Sequence, residues 1–133
     1  MDENKRKHLE MIQGVINRMG GNLFFLKGWS ITIIAGLLAL SAKDYDAKLV
    51  ALSLFPMFIF WILDGFFLSQ ERLFRALYDD VRKLNEMDID FSMDTTKYKS
   101  ICRNTWFFSM FASTPRWFYL SLFVMLFAFV LIN

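Results

Sequence analysis

The sequence predicts an all-α membrane protein with three transmembrane helices, an amphipathic N-terminal helix and a long cytoplasmic extension of the second span. Of its 133 residues, 56% are hydrophobic and 18% aromatic, which is more than a soluble core of this size would bury. These residues are concentrated in three blocks, 23–42, 49–68 and 117–133. Each block is close to the roughly 20 residues that a helix needs to cross a bilayer. A soluble helical core is the alternative, but only about half the chain would remain to cover it.

The positions of the basic residues predict the orientation of the spans. The loop at 43–48 contains only Lys43 and Lys48, whereas the other thirteen of the fifteen Lys and Arg residues lie at the opposite ends of the blocks. Because basic residues accumulate on the cytoplasmic side of membrane proteins, this loop should be external. The N-terminus and residues 69–116 should then be cytoplasmic.

The N-terminal segment, residues 1–22, should form a cytoplasmic amphipathic helix. Its apolar residues are spaced alternately by three and four positions, as on one face of a helix. Gly20 and Gly21 follow, and we expect them to break the chain before the first span. The apolar face of the segment consists of Leu9, Ile12, Ile16 and Met19.

The first span, residues 23–42, has small residues at Gly28, Thr32 and Gly36. This spacing of four resembles the small-xxx-small pattern that lets two helix backbones approach closely in a membrane. We therefore expect helix packing at these positions and expect this span to be the most buried of the three. The alternative is a helix that is simply rich in small residues.

The second span, residues 49–68, contains Pro56, which should kink it because proline lacks a backbone donor. No helix-breaking residue follows Leu68, so the helix should continue into the cytoplasm. The apolar side of this extension can pair with the N-terminal helix of the same chain or with another subunit. The heptad pattern is too short to decide between these partners.

Residues 69–116 should comprise the helical extension, a polar connector and a short aromatic segment. The aromatic segment, residues 106–111, is too short to span and should lie at the membrane interface, although a re-entrant position is the alternative. The third span, residues 117–133, has little polarity and should face lipid. Residues 1–133 together should form a single membrane domain.

Lys27 and Asp64 form the most informative pair in the sequence. Each lies a few residues inside the cytoplasmic end of its block, so antiparallel spans would bring them to the same depth. An unpaired charge there costs about 3 kcal/mol, and pairing lowers this cost. One interpretation is a structural bridge that sets the register of the two spans, with lysine snorkelling as a related option. The alternative is a role in an ion or proton path.

A second candidate site consists of cytoplasmic basic residues. Arg presents forked donors that suit phosphate, so these residues could form a pocket for a small nucleotide. Solvated helix faces and contacts with lipid headgroups are the alternative. The candidate residues are Arg72, Arg75, Arg82, Lys97, Lys99 and Arg103.

The remaining reactive side chains argue against several classes of protein. His8 is the only histidine and Cys102 the only cysteine, so we expect no metal site, intrachain disulfide or catalytic dyad. No phosphate-binding loop or paired-carboxylate motif occurs, and we expect neither an enzyme nor a cofactor. A net charge of +2 is too small to indicate nucleic acid as a partner.

Four stretches of the chain resemble those of a widespread group of small bacterial inner-membrane proteins that are largely uncharacterised. Genes for this group often lie near phage-defence or nucleotide-signalling genes. The resemblance implies a multi-pass protein of the bacterial inner membrane that acts in antiviral defence. The stretches are residues 8–13 (HLEMIQ), 27–29 (KGW), 63–75 (LDGFFLSQERLFR) and 92–95 (SMDT).

We therefore expect a homo-oligomeric membrane effector, with pore or ion-channel formation as one way for it to act. Three spans are too few to enclose a hydrated pore, so several subunits would have to share one. Its partners would be the lipid bilayer, further copies of itself, and a cytoplasmic protein or small nucleotide that activates it. The alternative function is a non-conducting membrane scaffold or accessory subunit that anchors a soluble enzyme.

Overall fold

The computed structural model of the protein describes residues 2–133, which are 82% helical and contain no strand. Three of the helices are long and apolar enough to cross a membrane. This confirms the predicted all-α class and the three candidate spans. The four α-helices are α1 (Glu3–Ser41), α2 (Ala47–Val81), α3 (Trp106–Met110) and α4 (Ser113–Ile132).

Helix α1 is continuous over 39 residues, a length of roughly 60 Å. The expected break at Gly20 and Gly21 is therefore wrong. Each glycine costs about 1 kcal/mol of helix propensity, but α1 packs against α2 on both sides of the pair. These contacts, at Ile16 on one side and Lys27 on the other, hold the helix straight through the glycines.

Helix α2 is also continuous, through Pro56 and on to Val81. The predicted extension beyond residue 68 is present and forms the last three to four turns of the helix. The short loop between α1 and α2 is fixed by Ser41, whose hydroxyl donates to the carbonyl of Asp46 and accepts from its amide. The Asp46 carboxylate caps α2 by accepting from the amide of Lys48 at 2.9 Å.

A hydrophobic cluster joins the N-terminal half of α1 to the C-terminal half of α2. We call this end of the molecule the basic end. The sequence left open whether these helices pair within one chain, and the structure pairs them within one chain. The segment between α2 and α3, residues 82–105, is called the connector. The buried members of the cluster are Leu9, Ile12 and Ile16 of α1, Leu73, Leu77 and Val81 of α2, and Tyr98 of the connector.

A second cluster lies at the opposite half of the molecule and brings α4 against α1 and α2. Helix α4 begins at Ser113 and is 20 residues long, so the third candidate span has the length that a bilayer requires. The buried members of this second cluster are Ile34 and Leu38 of α1, Val50 and Met57 of α2, and Tyr119, Leu122 and Leu126 of α4.

Helix α3 is the aromatic segment that precedes α4, and it packs directly on α2. Gly65 permits this contact, because a Cβ at that position would lie 2.9 Å from the Cα of Met110. Two indole groups form hydrogen bonds across the contact between α2 and α3. Trp61 Nε1 donates to the carbonyl of Met110 at 2.8 Å, and Trp106 Nε1 donates to the carbonyl of Ile62 at 2.9 Å.

The outer surface of the three long helices is apolar. We compared one apolar stretch of eighteen residues in each long helix. The share of these residues that is buried is 17% in α1, 28% in α2 and 22% in α4. The expectation that the first span is the most buried is therefore wrong within a single chain. Its small residues do not contact α2, since a Cβ added at Gly28 or Gly36 would meet no atom within 4 Å.

Candidate functional site

An ion pair joins α1 to α2 inside the candidate membrane region. Lys27 Nζ lies 2.8 Å from both carboxylate oxygens of Asp64. The Asp64 side chain is fully buried, whereas that of Lys27 is 20% exposed. Two of the three ammonium protons are used by the carboxylate, so one donor remains for another partner.

Two further polar side chains surround the pair, and sequence reasoning missed both. Ser30 is buried and donates to the carbonyl of Lys27 at 2.8 Å. Tyr119 of α4 is 1% exposed and its hydroxyl lies beside Asp64 and Ser30. That hydroxyl has no hydrogen-bond partner within residues 2–133. Ser30 follows Lys27 by three residues, a spacing that could have placed it on the same face.

A cleft of about 300 Å³ lies on the side of this pair that faces the basic end. Glu71, about two turns along α2 from Asp64, lines its wall. The start of α4 closes the opposite side. The lining side chains include Leu23, Lys27, Asp64, Leu68, Glu71 and Thr114.

The six basic residues predicted to form an anion pocket lie on α2 and on the segment between α2 and α3. Arg72 Nη1 donates to the carbonyl of Arg103 at 2.7 Å and so ties α2 to the segment before α3. Arg75 pairs with Glu71 along α2, and Arg82 pairs with Asp79. These three guanidinium groups hold protein partners at separate places.

A cavity of about 490 Å³ at the basic end lies between the end of α2 and the connector. Of the six basic residues, only Lys97 lines it. Carboxylates outnumber the ammonium groups, so the cavity suits a phosphate poorly. The floor is apolar and includes Leu77, Val81 and Tyr98; the charged residues are Asp80, Asp90, Asp94, Lys83 and Lys97.

Asp80 holds the connector on α2. Lys97 Nζ lies 2.7 Å from its carboxylate, and the Tyr98 hydroxyl donates to the same carboxylate at 2.8 Å. The hydrogen bonds from Lys97 and Tyr98 lower the pKa of Asp80. The same bond to Asp80 raises the pKa of Lys97.

The start of α1 is held by the other end of the connector. The Glu86 carboxylate accepts from the backbone amides of Asn4 and Lys5 at 2.8 and 3.1 Å, which places a negative charge at a helix N-terminus where it is stabilising. His8 is fully buried, and its Nε2 lies 2.9 Å from the carbonyl of Ser92. Sequence reasoning considered His8 only as a metal ligand or catalytic base and missed this contact.

Beside His8 the backbone of Phe91 adopts a left-handed conformation, with φ of 56°. A bulky residue rarely adopts this conformation without support from its surroundings. The Phe91 ring packs against the His8 ring at 5.5 Å between centroids. This ring contact and the hydrogen bond between His8 and Ser92 hold this part of the connector in place.

Comparison with known proteins gives no match. This holds for protein-family models, for curated proteins and for solved structures. The geometry of the chain itself therefore carries the functional argument.

The final feature is the exposed face of α1 that bears the predicted packing residues. Gly28, Thr32 and Gly36 all lie on the surface. A shallow groove of about 280 Å³ runs over Gly28 and Thr32 between the side chains of Phe24, Phe25 and Trp29. The Thr32 hydroxyl donates to the carbonyl of Gly28, so the groove has no unsatisfied hydroxyl.

Proposed function

We propose that the protein is a homo-oligomeric effector of the bacterial inner membrane that changes membrane permeability when a cytoplasmic signal reaches its basic end. In this proposal the basic end is cytoplasmic and the loop at 43–48 is external. The positive-inside rule supports this orientation, since thirteen of fifteen Lys and Arg residues lie at or beyond the basic ends of the spans.

The exposed groove on α1 is the observation that supports oligomer formation. Helices associate in lipid through close packing at small residues. Gly28 and Gly36 have open space above them, so the backbone of a neighbouring α1 can approach there. The other side of the same helix is bound to α2 by Lys27, which leaves the small-residue side for a second subunit.

The connector supports activation from the cytoplasm. It bridges the ends of α1 and α2 through Asp80, Glu86 and His8, and these helices continue without interruption into the membrane region. A ligand that displaces the connector would therefore act on both spans. The excess of carboxylates in the adjacent cavity favours a positively charged protein surface over a nucleotide phosphate as that ligand.

Gly28→Leu tests the proposal, because it fills the groove on α1 without touching the intrachain contacts. The mass of the detergent-purified protein and ion flux from reconstituted liposomes would both be measured. We expect an oligomer for the native chain and dissociation for Gly28→Leu. Ala128→Leu is the matched control, since Ala128 is an exposed small residue on α4.

The flux measurement separates the proposed function from the scaffold alternative. Activated native protein should release ions from liposomes or depolarise cells, and Gly28→Leu should not. A stable oligomer that never conducts, and that copurifies with a soluble enzyme, would instead establish the scaffold. A monomer in mild detergent would contradict the oligomer outright.

A further inference from the structure

We propose that the cleft beside Lys27 and Asp64 is a water-filled vestibule, open to the cytoplasmic side, that admits water and small cations as far as this ion pair. The proposal rests on the membrane insertion and orientation inferred above, but not on oligomer formation or conduction. It concerns a single three-helix unit.

The charges that line the cleft require water more readily than lipid. Lys27, Asp64 and Glu71 all contribute to its wall, and the Lys27 ammonium has one donor that the carboxylate does not use. Acyl chains would leave that donor unsatisfied, which is unfavourable in hydrocarbon. A volume of about 300 Å³ holds several water molecules, and those next to Lys27, Asp64 and Glu71 have polar partners.

The Tyr119 hydroxyl adds a further polar group at this depth. It is buried beside Asp64 and Ser30, but Tyr119 does not itself line the cleft. The inner end of the cleft therefore borders a small cluster of polar side chains.

The vestibule ends at the pair. Beyond Asp64 the space between the helices is filled by Ile34, Met57 and Tyr119, each 0–1% exposed. Water and cations that reach Lys27 from the cytoplasm therefore meet a packed apolar layer. The ion pair thus closes the inner end of a one-sided aqueous entrance.

Cysteine accessibility tests the vestibule, because Cys102 is the only native cysteine and can be replaced by serine. Lys27→Cys/Asp64→Asn would place one thiol at the inner end of the cleft without leaving an unpaired charge. Phe25→Cys and Trp29→Cys are the matched controls. They lie two residues to either side along α1 and are exposed on its outer surface.

The probe is trimethylammonioethyl methanethiosulfonate, a small impermeant cation that reacts with thiolates. In inside-out vesicles, we expect it to modify the residue 27 thiol about tenfold faster than either control, since thiols in an apolar setting ionise less. In right-side-out vesicles the residue 27 thiol should stay unmodified. Equal or slower reaction than Phe25→Cys would overturn the vestibule.

Lys27→Cys with native Asp64 provides a second measurement that does not depend on the double variant. Aminoethyl methanethiosulfonate would restore an ammonium group at residue 27 as a mixed disulfide. We expect this modification to recover the thermal stability lost in Lys27→Cys, and no recovery would count against access. If all the thiols react in soluble protein without vesicle sidedness, membrane insertion itself fails, which is a different result.

Discussion

The Lys27 and Asp64 side chains show how one pair of residues sets the register of two helices. Each is a single charge in an otherwise apolar stretch, and the carboxylate is fully buried. Neither charge is favourable alone at this depth. Together they fix α1 against α2 at one height, and Ser30 and Tyr119 define the polar surroundings.

The first prediction concerns this pair. Lys27→Met should lower the free energy of unfolding by about 3–5 kcal/mol, because it leaves the fully buried Asp64 carboxylate without a partner. Asp64→Asn should cost less, because the Lys27 side chain that it leaves is 20% exposed. The double variant should lose less than the sum of the two. Thermal and denaturant unfolding in detergent would measure the coupling between the two side chains.

A surface pair on the same helix is the control. Asp79 and Arg82 lie three residues apart on α2, and their side chains are 57% and 58% exposed. Arg82→Gln should cost at most about 0.5 kcal/mol. A coupling energy between Lys27 and Asp64 no larger than the cost of the control substitution would show that this pair does not hold the helices together.

At the scale of elements, the docking of α3 on α2 depends on a single glycine. The Trp61 and Trp106 indoles bond to backbone carbonyls across this contact, and Gly65 brings the two helices close enough for both bonds. Sequence reasoning expected an interfacial or re-entrant segment here. It could not see that Gly65 lies opposite Met110, because the contact joins residues 45 positions apart.

The second prediction is that Gly65→Ala loosens α3. A Cβ at Gly65 would lie 2.9 Å from a backbone atom of Met110, so the helices must separate, at a cost of about 1–3 kcal/mol. The measurements are the unfolding temperature and the fluorescence of Trp106. Gly14→Ala is the control, because a Cβ there meets nothing within 4 Å; an equal effect of both substitutions would contradict the account.

The connector is the second element whose position depends on a few polar contacts. Lys97 and Tyr98 both bond to Asp80, and Glu86 caps α1 from the same segment. These are partly exposed contacts of modest strength. Such a segment can leave its place while the rest of the fold persists.

The third prediction concerns pH. Because the pKa of Asp80 is lowered, its contribution to stability is fully present above the ordinary carboxyl pKa of about 3.9. It should be lost as pH falls through the lower folded-state pKa. The pKa of Lys97 is raised, so its contribution is present below about pH 10.4 and lost as pH rises beyond that.

Unfolding followed over pH in detergent would check this for the native chain and for Lys97→Gln. The substitution should remove much of the stabilisation that depends on Asp80 at neutral pH and should reduce the acid-side slope. Lys99→Gln is the control, since Lys99 is an exposed neighbour outside the Asp80 contact. If Lys97→Gln loses stability at acid pH to the same extent as the native chain, the contact between Lys97 and Asp80 does not hold the connector.

At the scale of the whole molecule, sequence alone predicts the features that are properties of long stretches. The all-α class, three candidate spans and the extension of α2 follow from apolar runs and the absence of breakers. The continuity of α1 through Gly20 and Gly21 could not be predicted, because it depends on packing against α2 that outweighs local propensity. The pocket of basic residues stays a prediction; within it, Arg75 and Arg82 pair with Glu71 and Asp79 on α2 itself.

The candidate site likewise has one feature that the sequence could predict and several that it could not. The equal depth of Lys27 and Asp64 follows from antiparallel spans, so the sequence could suggest that pair. The cleft, the buried Tyr119 hydroxyl and the contact of His8 with Ser92 depend on how α4 and the connector fold back on the hairpin of α1 and α2. No spacing along the chain carries that information.

The central claim is that the three long apolar helices each cross a bilayer, with the N-terminus cytoplasmic. Reporter fusions at the two ends of the chain, one active only in the cytoplasm and one only outside it, test this most directly. An odd number of crossings predicts a cytoplasmic N-terminal reporter and an external C-terminal reporter, in protein that remains in the membrane fraction. Both ends in the same compartment, or protein soluble without detergent, would contradict it.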